Sequence, residues 1–105
     1  MLFQIPLHLN GEPSFTVIEH EEGQFLQDCE RLSNAHRYFN GVLAWFQWVL
    51  ERAPVGPFSH RHDPPYDDFY EMTSGDIPEY DGPTITILYT VEKDTVKLWG
   101  LNVVA

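Results

Sequence analysis

The chain has 105 residues, one domain's length, with the 43% hydrophobic and 21% charged content of an ordinary globular protein. Its 14% aromatic content can build a core and argues against intrinsic disorder. The net charge of −10 disfavours direct binding to nucleic acid, and a lone cysteine excludes an internal disulfide or a thiolate zinc cage.

The longest apolar run, Val42 to Phe46, is far shorter than the roughly 20 residues a membrane helix needs. The start of the chain lacks the basic and apolar regions of a secretory signal. A cytoplasmic protein with no membrane association is therefore expected.

Residues 2–9 alternate through Phe3, Ile5, Leu7 and Leu9. Asn10-Gly11 then gives a hairpin turn, and Phe15 and Val17 resume the alternation over 14–19. Pro6 and Pro13 cannot donate ladder hydrogen bonds, which places this hairpin at a sheet edge. From His20 the period changes. Phe25, Leu26, Cys29 and Leu32 predict one face of a helix, in which Gly23 weakens only the first turn. Ser33-Asn34 breaks it, and a second helix is expected from Ala35 to Arg52, ended by Pro54. The core stripe of that helix is Phe39, Val42, Leu43, Phe46, Val49, Leu50 and Ala53.

Residues 54–83 hold Pro54, Pro57, Pro64, Pro65, Pro78 and Pro83. They also hold Asp63, Asp67, Asp68, Glu71, Asp76, Glu79 and Asp81 against the single base Arg61, so more than half of the net charge lies here. Two loops around a short strand, 68–73, account for this stretch. The clearest strands close the chain: Thr84 to Val91, a turn at Glu92-Lys93-Asp94-Thr95, and Val96 to Val104. The order ββ-αα-βββ predicts a single α+β domain over 1–105, a helical hairpin packed on an antiparallel sheet.

Phe69-Tyr70-Glu71-Met72, then Ile85 to Val91, then Asp94 to Leu98 resemble the C-terminal half of the RelE/ParE toxin superfamily. That family has an apolar-Tyr/Trp-Glu-Leu-Arg strand, a Tyr-Arg-x-x-Tyr strand and a final strand after a short polar turn. The resemblance extends over residues 14–104 and implies a bacterial or phage toxin–antitoxin type module with an antitoxin as partner. Two family arginines are replaced, by Thr73 and Thr86, and the end Asn102-Val103-Val104-Ala105 lacks a basic or aromatic tail. Cleavage of RNA by 2′-OH attack needs cationic stabilisers. The resemblance therefore implies action through protein binding, without ribonuclease activity and without a cofactor. The alternative is a small acidic protein-binding or inhibitor module with no toxin role, its partner a basic protein surface.

Three groups of residues are candidates for chemistry or recognition. His60-Arg61-His62-Asp63 is the densest set of versatile side chains: His60, Arg61 and His62, with Tyr89, are the catalytic candidates, and His60, His62 and Asp63 the metal candidates. A solvated polar loop explains the same residues. Tyr38, Trp45 and Trp48 form a second stripe on the long helix, suited to a partner, a homodimer mate or the N-terminal hairpin, and the two indoles should not both be exposed. Asp67 and Asp68 are the acidic candidates for partner binding.

Overall fold

The strongest alternation in the sequence becomes the centre of the sheet. In the computed structural model, residues 11–35 and 38–104 are described. They form β1 (Thr16–Glu19), α1 (Phe25–Ala35), α2 (Phe39–Leu50), β2 (His60–Arg61), β3 (Phe69–Thr73), a 3-10 turn (Ser74–Asp76), β4 (Thr84–Glu92) and β5 (Thr95–Val104). The spatial order of strands is β1-β5-β4-β3-β2. The expected strand 2–9, and with it the hairpin pairing, lies outside the described residues, while the expected strand 14–19 is present as β1.

The α+β architecture agrees with the sequence reading, and one pairing refines it. β1 runs parallel to β5, from Thr16 opposite Thr95 to Glu19 opposite Leu98, so the sheet is mixed rather than antiparallel throughout. The chain leaves β1 through both helices and three strands before β5 returns alongside it, a connection long enough for a parallel pair. Where the sequence predicts only loop, β2 forms a two-residue edge strand, His60 opposite Glu71 and Arg61 opposite Tyr70.

Ile85, Ile87 and Tyr89 alternate along β4 and are all buried beneath the helices. On β5 the buried residues are Val96, Leu98 and Leu101, so the step changes from two to three. The ladder shows why. Tyr89 pairs with Leu98 and Leu88 with Gly100, which leaves Trp99 as the extra residue of a β-bulge. The bulge returns Leu101 to the core while Trp99 stays on the open face, donating its indole N–H to Thr90 Oγ1 at 3.0 Å.

On α1 the core face is Phe25, Cys29 and Leu32, and Leu26, expected with them, is exposed. On α2 the buried sector is shifted from the expected stripe. Trp45 is only 1% exposed, whereas Leu43 is half-buried. At about 100° per residue, Trp45 lies only about 40° from Val49 around the helix, so a modest rotation of α2 brings it inside. Phe58 covers it edge-on, with ring centroids 4.9 Å apart. Trp48 is half-buried beneath the Arg52 guanidinium, 3.4 Å from its ring centre. The two indoles are thus not both exposed, as expected. The cover of Trp45 comes from the residues after α2, and burial removes it from any partner surface.

Polar ties join the layers. Tyr89 is fully buried and donates its hydroxyl to Pro54 O at 2.6 Å, and buried Ser74 Oγ accepts the Ile85 N–H at 2.8 Å. Tyr89→Phe strands the buried Pro54 carbonyl and should cost about 1–3 kcal/mol in urea unfolding. Burial, and then the neighbouring Tyr70, raise the Tyr89 phenol far above its usual 10.0. Above about pH 10 the unfolded chain loses this proton while the folded chain keeps it. Stability should therefore fall as pH rises beyond that point. In Tyr89→Phe the fall should be shallower, leaving the contributions of Tyr80 and Cys29, whose phenol and thiol burial also raises.

Candidate acidic groove on the open sheet face

With the helices on one side, the other face of β3, β4 and β5 is free to form a site. A concavity of about 450 Å³ opens there. Its floor is Thr86 and Leu88 of β4 with Trp99 to Asn102 of β5; one wall is Glu22, Gly23, Gln24 and Asp28, the other His62 and Glu71. The lining thus has three carboxylates, one imidazole and no lysine or arginine.

The first wall is fixed by backbone contact with the bulge. His20 N donates to Leu98 O at 2.8 Å and Gln24 N to Trp99 O at 2.7 Å. The His20 ring stacks on Trp99 with centroids 3.7 Å apart. Gly23 is needed for this approach, since a Cβ there would stand 2.6 Å from Trp99 O. Asp28 completes the join: Oδ2 accepts the Leu101 N–H at 2.9 Å, and Oδ1 faces exposed Arg31 at 3.2 Å. Asp28→Ala should cost about 1–3 kcal/mol in urea unfolding, through the unmet Leu101 N–H. Amide exchange at Leu101 should accelerate, and Asp28→Asn, which keeps an acceptor, should restore most of the loss.

On the second wall His62 Nε2 lies 3.3 Å from Glu71 Oε2. His60 pairs elsewhere, its Nε2 2.9 Å from Asp76 Oδ2. The two imidazoles thus hold different carboxylates and do not converge. Among the described residues no group of three or more His, Cys, Asp or Glu side chains could hold a metal ion. Arg61 donates Nε–H to Asp67 O at 2.7 Å, and Asp63 and Asp68 are exposed. Tyr89, a catalytic candidate from sequence, is buried on the helix side of the sheet and cannot meet a substrate in the groove. Tyr38 packs edge-on against Tyr80, their centroids 6.1 Å apart. Of the candidate residues only His62 reaches the groove; Glu22, Gln24, Asp28, Trp99 and Asn102 belong to no motif in the sequence and join it through the fold alone.

Burial, reinforced by Asp28 and Glu19, raises the Cys29 thiol and so disfavours its thiolate. No helix among the described residues is long and apolar enough to cross a membrane.

These features define a small α+β domain with an acid-lined groove on its open sheet face. No family model matches the chain, and no curated protein matches it. Among solved structures it is similar to the conserved hypothetical protein HP0894 from Helicobacter pylori. That match has 17% identity and a TM-score of 0.50, covering 85% of this chain and 93% of the other. A second similar structure is the conserved hypothetical protein HP0892 from the same organism, with 15% identity and a TM-score of 0.45, covering 84% and 92%. The likeness to HP0894 is one of fold.

Proposed function

We propose that this chain is a RelE/ParE-like toxin-fold protein of a bacterial or phage toxin–antitoxin type module, acting through protein binding and without ribonuclease activity. One observation carries the reading. The two positions where the family has arginines, Thr73 and Thr86, are direct register partners on β3 and β4. Two cations there would stand side by side on the open face. Instead Thr73 Oγ1 accepts the Gly75 N–H at 3.1 Å, and the adjoining groove has no lysine or arginine in its lining. A phosphorane-like transition state would meet carboxylates. Loss of a single stabilising donor typically costs about 2.7–4 kcal/mol of barrier, and this face has neither of two. Binding a protein needs no such set, so an antitoxin or a basic target protein is the proposed partner.

Induction of the chain in a bacterial host should slow growth while ribosome-bound messages remain intact, and a protein partner should co-purify from its native source. Cleavage of those messages by the purified chain would overturn the absence of ribonuclease activity. Unimpaired growth together with no co-purifying antitoxin would overturn the toxin reading.

The second reading, an acidic protein-binding or inhibitor module, draws on the exposed acids Asp63, Asp68, Glu79 and Asp81 between β2 and β4. Under it, affinity for a basic protein should fall steeply with ionic strength and with Asp67→Asn/Asp68→Asn, and growth should be unaffected.

A further inference from the structure

We infer that the groove on the open sheet face receives an arginine side chain from an extended segment of the partner protein. The inference deepens the protein-binding reading and rests on it for the claim that a protein, rather than a small cation, fills the groove. Glu22 and Asp28 come from the loop before α1 and its first turn, Glu71 from the distant strand β3, and the fold gathers them around one concavity of about 450 Å³. Three of the described cations are held away from the groove. Arg52 lies over Trp48 and donates to Gly11 O at 2.8 Å, Arg61 holds Asp67, and Lys97 holds Glu92 at 3.1 Å. Arg31 pairs with Asp28 from outside, its side chain 58% exposed, and does not line the groove.

Carboxylates around a concave, partly apolar surface focus a negative potential into it. The floor also has the chemistry of an arginine rather than a bare ammonium. Leu88 and Trp99 offer apolar surface to an aliphatic stem, while Asn102 and Gln24 add amide acceptors beside the acids. A guanidinium has five donors in a planar fork, which several acceptors on different walls can share; an ammonium has three around a point. The floor is the open face of a sheet, which suits an extended segment lying across it.

The test uses the full chain, labelled with ¹⁵N, and the probe acetyl-Gly-Arg-Gly-amide, with the neutral citrulline tripeptide and spermidine as comparisons. The arginine peptide should produce saturable shifts at the Gly100 and Leu101 amides and the Trp99 indole, and the citrulline peptide none. Glu22→Gln or Glu71→Gln should each weaken binding by about tenfold, the effect of one charge-assisted contact. Glu79→Gln removes the same charge from an exposed site outside the groove and should leave affinity within about twofold at 0.15 M salt, where distant charges are screened. Equal weakening by Glu79→Gln, or shifts spread over the acidic surface, would reduce the effect to general counter-ion attraction and overturn the inference. Spermidine binding as tightly with the same dependence on Glu22 and Glu71 would assign the groove to a polyamine and overturn the peptide commitment. Neither outcome touches growth or message integrity, so the proposed function stands or falls separately.

Discussion

Trp45→Ala should destabilise the chain by about 3–5 kcal/mol, the usual cost of truncating a buried tryptophan. A domain this size has about 5–15 kcal/mol of stability in all, so one substitution removes a large share of it. Trp45 is 1% exposed and sits among Phe46, Phe58 and the buried residues of α2, an environment with little room to collapse around a void. The urea midpoint should fall with the slope unchanged, because the surface exposed on unfolding barely alters. Trp48→Ala is the informative contrast. That ring is half-buried and its cover is the long side chain of Arg52, which also donates to Gly11 O and Trp48 O. Its loss should therefore cost clearly less than that of Trp45. Equal losses, or a larger one at Trp48, would mean that the aromatic face of α2 is packed differently from this structure.

The placement of Trp45 also changes where a partner can bind. The sequence offers an aromatic stripe on α2 and an acidic stretch after it as two candidate surfaces. With Trp45 inside, the stripe shrinks to the half-buried rings of Tyr38 and Trp48. Acidic residues from before α1, within α1 and on β3 meet instead on the far side of the sheet. The core and the groove thus lie mainly on opposite faces of the strands and meet at Leu101 and Asp28 of α1. Residues such as Ile87 and Tyr89 serve the helix side, while Thr86 and Leu88 between them serve the groove. That division lets groove substitutions test recognition without emptying the core.

Most of the architecture is legible because periodicity reports which side of an element is buried. β4 alternates cleanly, and its buried face follows directly from that alternation. The stripe that periodicity predicts for α2 lies about 40° around the helix from the buried sector, because an all-round apolar helix gives little contrast between its faces. Trp45 then falls outside the predicted core. The mixed sheet is not legible, since alternation shows a strand's faces and says nothing of its neighbour's direction. The groove is hidden for a different reason. Glu22, Asp28 and Glu71 are ordinary solvated acids until the fold brings them together. One local signal does exist: Val96, Leu98, Leu101 and Val103 change parity between Leu98 and Leu101, which a regular strand cannot do with all four on one face. The break marks the bulge at Trp99, and bulges favour sites where a side chain must be re-aimed. Gly23 is a second signal, one that helix propensity alone reduces to a weak first turn.

Gly23→Ala should accordingly be more damaging than helix propensity suggests, and in the opposite direction. Alanine for glycine ordinarily stabilises by about 0.4–1 kcal/mol where the backbone permits it, in a loop as in a helix. The backbone permits it, as no described glycine has a positive φ. Space does not. The new Cβ would meet Trp99 O at 2.6 Å and Trp99 Cα at 2.9 Å, backbone atoms that no rotamer change can move aside. Relief requires the 20–24 loop to lift from β5, and it is tied there by the His20-to-Leu98 and Gln24-to-Trp99 hydrogen bonds. The cost should be about 1–3 kcal/mol, the range for forced overpacking. Gly11→Ala serves as control, for a Cβ at that position would have nothing within 4 Å, and its effect should stay within about ±0.5 kcal/mol. Lifting the loop also removes the wall that carries Glu22 and Gln24. Gly23→Ala should therefore weaken binding of the arginine tripeptide even where the protein remains folded, and Gly11→Ala should leave it intact. A Gly23→Ala protein as stable as its parent would show that the loop does not lie against the bulge, and the groove would lose its first wall.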